Sequence, residues 1–216
     1  MSDGSRGRVV LAIDLGTTAL KLALATTRGR LLDTEAEPQR VAVLPGGGAE
    51  QDPKDWRASI VRASRRLLGR NTELAGRIEA VNASVQWSGT VAIGEDGRPQ
   101  RPAMIWMDSR GAGEARRITG GFPKVQGDGG RRMVRWIRLT GGAPTHSGKD
   151  PIAHILWLRQ AGPEKYARAA VFLEPKDWLN LRLTGRAIYD RLYPEFVNLY
   201  RRTKPIYARL NRGRES

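Results

Sequence analysis

The stretch LAIDLGTTALKLALA, residues 11–25, constrains the fold of this 216-residue chain more than any other. An apolar run (Val9, Val10, Leu11, Ala12, Ile13) stops at Asp14. The chain then turns through Gly16, Thr17 and Thr18, and a second apolar run follows with Lys21 inside it. Two short apolar runs bounded by a glycine turn read as paired strands over 8–14 and 20–26, joined by Leu15-Gly16-Thr17-Thr18. A carboxylate at the end of a buried strand is costly unless something binds it. The glycine lets the backbone come close to a ligand, and the threonines offer hydroxyl and N–H donors in a nest that suits phosphate oxygens. Asp14 could then hold Mg2+ through water, with Lys21 as a point charge near the same phosphates. The competing reading is a plain hairpin in which Asp14 caps the turn and Lys21 snorkels to solvent.

Further along, Arg30 to Glu37 reads as a third strand closing a meander, and Pro45-Gly46-Gly47-Gly48 as a loop. Asp52 can cap a helix that opens at Pro53, with Ile60, Val61, Leu67 and Leu68 on its apolar face. Ile78 to Val85 returns to strand, and Thr90 to Ile93 is expected to pair with it. Helices are predicted over 108–119, 131–139, 151–160, 163–169 and 175–183, the last three with prolines at their starts. The order is strands first, then mostly helices. It predicts a mixed sheet of about five strands flanked by helices, an α/β fold of ribonuclease-H-like architecture.

Composition removes several function classes. With no cysteine, disulfides, thiolate metal sites and cysteine nucleophiles are excluded. No apolar run matches a secretory signal or a membrane helix, so a cytoplasmic protein with no membrane partner is expected. The formal charge of +15 would suit a nucleic-acid partner. Only seven of the 37 basic residues are lysines, however, and the arginines rarely cluster outside 131–138 and the last 26 residues. A dedicated nucleic-acid function is therefore the lesser reading. His146 and His154 share no ligand spacing and read as structural or exposed. Asn82-Ala83-Ser84 matches a glycosylation pattern in a strand predicted to be buried, which discounts it.

Four motifs in order carry a resemblance. Asp14-x-Gly16-Thr17-x-x-x-Lys21 resembles the first phosphate loop of the actin-like ATPase superfamily, which includes sugar kinases. Glu50-Gln51-Asp52-Pro53-Lys54-Asp55-Trp56 is similar to the Glu-Gln-x-Pro-x-x-Trp of the FGGY carbohydrate kinases. Gly97-Arg98-Pro99-Gln100-Arg101-Pro102-Ala103-Met104-Ile105-Trp106-Met107-Asp108-Ser109-Arg110 resembles their Gly-x-Pro-x-Arg-Pro-x-Ile-x-Trp-x-Asp-x-Arg. Phe172 to Trp178 followed by Leu183-Thr184-Gly185 looks like their Leu-x-x-x-Asp-Tyr with Leu-Thr-Gly. Over residues 8–190 the chain thus resembles the N-terminal domain of this family, in its xylulokinase-like branch.

The resemblance implies an actin-like ATPase domain, with ATP and Mg2+ as cofactors and a sugar or polyol as substrate. Asp14, Gly16, Thr17, Thr18 and Lys21 are then phosphate and metal residues. Trp106 matches the tryptophan that packs on substrate, while Asp108 and Arg110 match a polar pair that orients hydroxyls or braces the cleft. An ordinary core residue for Trp106 and a helix cap for Asp108 are the plain alternatives. Gln86, Trp87 and Ser88 fall where the family contacts substrate, but Trp87-Ser88 replaces the usual Met-His, so xylulose cannot be assumed.

No catalytic residue is identified. The family's general base lies beyond the matched region, and its adenosine-binding domain further on. Residues 191–216, with seven basic and two acidic residues, do not resemble the family. A frameshift or truncation is the favoured explanation, a functional basic arm the other. The expectation is the sugar-binding part of an ATP-dependent carbohydrate kinase, incomplete and inactive alone, for which a separate C-terminal kinase domain is a candidate partner. The alternative is a non-catalytic sugar-binding protein, or a nucleic-acid binder through its basic tail, derived from the kinase fold.

Overall fold

Along β1 (Val9–Leu15) the side chains alternate: Val9, Leu11, Ile13 and Leu15 are buried, while Val10, Ala12 and Asp14 point to the other face. β2 (Ala19–Thr26) repeats the pattern with Leu20, Leu22 and Leu24 buried, and it pairs antiparallel with β1 so that Asp14 lies directly opposite Lys21. β3 (Leu31–Pro38) closes the antiparallel meander. These elements belong to a computed structural model that describes residues 7–125 and 127–185. The predicted basic tail lies outside the described residues.

After the meander come β4 (Ala42–Leu44), β5 (Gly48–Gln51), α1 (Pro53–Gly69), α2 (Thr72–Ala75) and β6 (Ile78–Val85). β6 returns parallel to β1, giving a four-stranded mixed sheet in the order β3-β2-β1-β6. A right-sized helical crossover between parallel strands after an antiparallel meander is the ribonuclease-H-like architecture expected from the sequence. Asp52 caps α1 by accepting the Lys54 N–H at 2.8 Å, and Pro53 takes the first helical position. Trp56, Ile60, Ala63 and Leu67 bury the stripe that packs on the sheet, and the predicted Val61 and Leu68 sit half-buried at its margins.

A ladder of ion pairs sets the direction of α1 over β3. Arg62 bonds Glu37 (3.0 Å), Arg66 bonds Glu35 (2.9 Å) and Glu37 (2.8 Å), and Arg70 bonds Asp33 (2.8 Å) and Glu35. The spacings match because four helical residues rise about 6 Å and two strand residues about 6.6 Å. The helix runs up as the strand runs down. Bonds from Arg70, Asn71 and the Thr34 N–H hold the Asp33 carboxyl down at about 2.

The remaining chain departs from the prediction in three places. β7 (Val91–Ile93) does not pair with β6. It pairs antiparallel with β11 (Val171–Leu173), and Thr90 bridges to Met104 in β8 (Ala103–Met104). Ser88, at φ 57°, turns the chain away from the sheet before β7 begins. The helix predicted from Asp108 starts later, as α3 (Ala112–Thr119), although Asp108 Oδ1 accepts the Arg110 N–H at 3.1 Å as a cap would. β6 is not buried: it has one neighbour, and Val81 and Asn82 are exposed. The short pair β9 (Lys124–Val125) and β10 (Asp128–Gly129) leads into α4 (Gly130–Thr140), which exposes Val134 and Ile137 beside its arginines. Then follow α5 (Pro151–Ala161), α6 (Pro163–Ala167), β11 and α7 (Pro175–Thr184). The contacts divide the chain after Lys176; of the second part, residues 177–185 are described.

Reversing one rung tests the ladder. Glu35→Lys should lower the melting temperature in low salt, and the loss should shrink in 1 M NaCl, where screening acts within about 3 Å. A loss independent of salt would show that the pairs do not orient α1.

Candidate functional site

The β1–β2 turn can be built only with glycine at its first corner. The Gly16 N–H donates to the Ala19 carbonyl at 3.1 Å, and a Cβ on Gly16 would stand 2.8 Å from that oxygen. The tight turn leaves Thr17 half-buried and Thr18 exposed beside it. Asp14 and Lys21 face each other across the strands, 3.5 Å apart and open to solvent, on the rim of a concavity of about 580 Å³ over the sheet face of Val10, Ala12 and Ala23. Asp14, Gly16, Thr17, Thr18 and Lys21 therefore do gather at one open edge of the sheet.

Thr17 is also where that edge meets the predicted cleft. Its hydroxyl donates to Gln86 Oε1 (3.1 Å) and accepts the indole N–H of Trp106 (2.9 Å). Gln86 Nε2 donates to Gln51 Oε1 (2.6 Å), and Gln51 Nε2 donates back to the Thr17 carbonyl (2.8 Å) and to that of Arg40 (3.1 Å). Thr17, Gln86 and Gln51 thus form a closed hydrogen-bonded ring. Trp56 Nε1 adds a bond to Gln51 Oε1 at 3.2 Å. Gln51 is buried at the end of β5, so its amide must be fully bonded where it sits.

Two residues after Trp106, Asp108 belongs to a buried charged cluster. Asp108 has no exposed surface; its carboxylate accepts the Ala49 N–H (3.0 Å) and the Arg110 guanidinium, which also reaches Glu50. Arg101 is the second partner of Glu50, and Arg110 stacks 4.2 Å from the Trp157 ring. Two carboxylates against two guanidiniums leave the cluster neutral. Asp108 and Arg110 lie in this buried cluster, while Gln86 and Trp106 meet at Thr17. Asp108 is fully buried and so shares no open surface with Trp106.

His154, predicted to be structural or exposed, is buried. Its Nε2 lies 3.0 Å from the Asp108 carbonyl, which can only accept, so Nε2 carries the proton and Nδ1 accepts the Thr90 hydroxyl (3.1 Å). Burial pushes its pKa down and keeps the ring neutral. His146 pairs with Asp128 at 2.6 Å.

Two cleft residues escaped the sequence. Lys149 lies in a loop with no periodicity, yet its ammonium sits 5.7 Å from the centre of the Trp106 ring. Gln51 belongs to a quoted motif, but nothing in its spacing revealed that it joins Thr17 to Gln86. Of the departing pair, Trp87 is 72% exposed, while Ser88 is buried and donates to the Lys149 carbonyl at 2.8 Å. Among the described residues no group of three or more His, Asp or Glu side chains could hold a metal. Asp14 could contribute one carboxylate to an ion whose other ligands are water and phosphate, the usual habit of Mg2+.

The meander with a parallel return strand, the glycine turn between Asp14 and Lys21, and the tryptophan joined to that turn agree with the family resemblance of the sequence. The model of the FGGY family of carbohydrate kinases, N-terminal domain, matches residues 9–192, and the chain belongs to that family. It is 30% identical over 177 residues to a xylulose kinase of Staphylococcus epidermidis, covering 82% of this chain and 32% of that protein. A Bacillus subtilis xylulose kinase is 29% identical over 178 residues. A crystal structure of a xyloylose kinase from Brucella ovis superposes with a TM-score of 0.73 at 24% identity, over 82% of this chain and 34% of that one. The chain spans about a third of the length of the curated relatives it matches. No helix among the described residues is long and apolar enough to cross a membrane.

Two measurements check this geometry. Gln51→Leu leaves the Gln86 amide and the Thr17 carbonyl without their ring partner. It should cost about 2–4 kcal/mol in urea unfolding; a cost below about 0.5 kcal/mol would show that the ring is not structural. His154 is neutral when folded and takes up a proton on unfolding below its ordinary pKa of 6.5. The unfolded state then binds more protons, so stability should fall as pH drops below about 6.5. In His154→Gln the fall between pH 7.5 and 5.5 should be shallower, measured by thermal melts.

Proposed function

We propose that this chain supplies the sugar-binding and phosphate-facing half of an ATP-dependent carbohydrate kinase, which transfers a phosphoryl group to a ketose or polyol hydroxyl. One observation carries the reading: a single hydroxyl, that of Thr17, belongs to the phosphate turn and also accepts the indole N–H of Trp106. A sugar stacked on Trp106 would lie beside the turn that faces phosphate, the proximity that phosphoryl transfer requires.

In this reading the Gly16–Thr18 turn offers N–H and hydroxyl donors to phosphate oxygens, and Lys21 adds a charge that needs no deprotonation. Asp14 would hold Mg2+ through water, and the ion would supply charge neutralisation on the phosphates. Trp106 and the exposed Trp87 offer aromatic faces to the CH surface of a sugar. Asp108 and Arg110 would brace the cleft. The general base and the adenosine pocket belong, in this proposal, to a further kinase domain, with residues 1–190 as the N-terminal domain and 191–216 as a separate basic segment. Xylulose is one candidate substrate, and Trp87-Ser88 marks a pocket of different lining.

The test is kinase turnover on a ketose and polyol panel, by the chain alone and with a separately supplied C-terminal kinase domain. Turnover is expected only in the combination, and Asp14→Ala should lower it about a thousandfold or more. Calorimetry on the chain alone should show Mg-ATP binding no tighter than millimolar; micromolar binding would overturn the half-site assignment.

A further inference from the structure

Arg62, Arg66 and Arg70 each meet a carboxylate of β3. The arginines of α4 have no such partners. This helix carries Arg131, Arg132, Arg135 and Arg138 in 11 residues and no acid. Among the described residues none of the four has a carboxylate within ion-pair distance. The nearest acid in sequence, Asp128, is taken by His146 at 2.6 Å. Around the guanidiniums the helix exposes Val134, Ile137 and Leu139, the last at 72%, and Phe122 before it is 88% exposed. Apolar side chains left in water beside unpaired cations mark a surface that meets something.

The helix is anchored at its start. Arg132 Nη1 donates to the Arg117 carbonyl in the last turn of α3 (2.7 Å), and the Gly130 N–H donates to the Pro123 carbonyl (2.7 Å). A Cβ on Gly129 would stand 2.7 Å from the Gly121 Cα, so glycine is what lets the chain pack this closely beneath α4. From that base Arg131, Arg135 and Arg138, spaced i, i+4 and i+7, form one ridge along the helix. Val134 and Ile137 follow one flank of the ridge, and Leu139 lies on the other. Beside it a concavity of about 310 Å³ is lined by Ile118, Arg132, Arg135, Trp136 and Leu139. Two guanidiniums over an apolar floor suit a partner that is anionic at its surface and hydrocarbon beneath.

We propose that α4 docks on an anionic phospholipid surface, with its guanidiniums on headgroup phosphates and its exposed apolar side chains in the acyl boundary. The chemistry favours lipid over nucleic acid, whose phosphates would meet the arginines but leave Val134, Ile137 and Leu139 without an apolar partner. The expectation of no membrane partner rested on the length of apolar runs. That length decides whether a helix spans a bilayer, not whether it lies on one. None of the α4 residues belongs to the β1–β2 turn or to the Thr17–Gln86–Gln51 ring, so the inference does not rest on the kinase reading.

The test is co-sedimentation of the full chain with vesicles of mixed phosphatidylserine and phosphatidylcholine, against vesicles of phosphatidylcholine alone. The anionic vesicles should bind about tenfold or more tighter, and the difference should shrink as salt rises. Arg131→Gln, Arg135→Gln and Arg138→Gln combined should weaken binding about a hundredfold, at roughly fivefold per charge. The same three positions changed to Lys should keep it. Val134→Ser with Ile137→Ser should weaken it at unchanged charge; circular dichroism confirms that each variant is folded. Arg201→Gln, Arg202→Gln and Arg209→Gln combined remove equal charge from the basic tail and should cost far less. No binding to the anionic vesicles, equal binding to neutral ones, or a tail variant that loses as much as the α4 variant overturns the proposal. Duplex DNA bound through the α4 arginines, with vesicles left unbound, overturns it in favour of nucleic acid.

Discussion

The ring of Thr17, Gln86 and Gln51 is the constraint on which the rest of the site depends. Its members come from the β1–β2 turn, the residue following β6 and the end of β5, separated by up to 69 residues in sequence. Each bond uses one donor and one acceptor of a side chain or of the turn's own backbone. Rotating the Gln86 amide would break two bonds and rotating the Gln51 amide four. The ring fixes the height of the turn relative to the strand end that leads into the cleft. Trp106 then reads that height through its indole N–H. A glutamine suits the centre because one amide both donates and accepts, so Gln51 can bond Gln86 and Thr17 at once.

Charge is divided between two layers in opposite ways. On the outside, the arginines of α1 and the carboxylates of β3 alternate in register and remain partly solvated, so they steer the helix more than they hold it. On the inside, Glu50, Asp108, Arg101 and Arg110 are nearly dry, and removing any one would strand a buried partner. The inner cluster also packs on an aromatic ring, that of Trp157.

The parts of this fold visible in the sequence are those where one periodicity meets one turn. The alternation of β1 and β2 around Gly16 and the Asp52-Pro53 start of α1 needed no tertiary information. The pairing of Val91–Ile93 did, because three consecutive apolar residues show which strand is buried but not which strand is its neighbour. Asp108 reads as a helix cap from its place in the sequence and, only by the family resemblance, as half of a polar pair with Arg110. Only burial shows that its oxygens are spent on Ala49 and Arg110. Lys149 was invisible for the converse reason. It is a single lysine in a loop, and Ser88 and Gly148 place it beside an aromatic 43 positions away.

The carboxylate and the ammonium of the opening stretch explain each other once the register is known. Asp14 and Lys21 are direct partners across β1 and β2, so each neutralises the other at a sheet edge that would otherwise carry an isolated charge. Both side chains remain well exposed and stand 3.5 Å apart, and a pair of that kind is weak and readily opened. In the proposed kinase, Asp14 would exchange the ammonium for a hydrated metal and Lys21 would exchange the carboxylate for phosphate oxygens. Neither charge is left bare at any stage of that exchange. A buried pair at the same place would resist opening, and a lone carboxylate would repel an approaching triphosphate. An exposed cross-strand pair avoids both penalties, which gives a physical reason for a charged residue in each of two otherwise apolar strands.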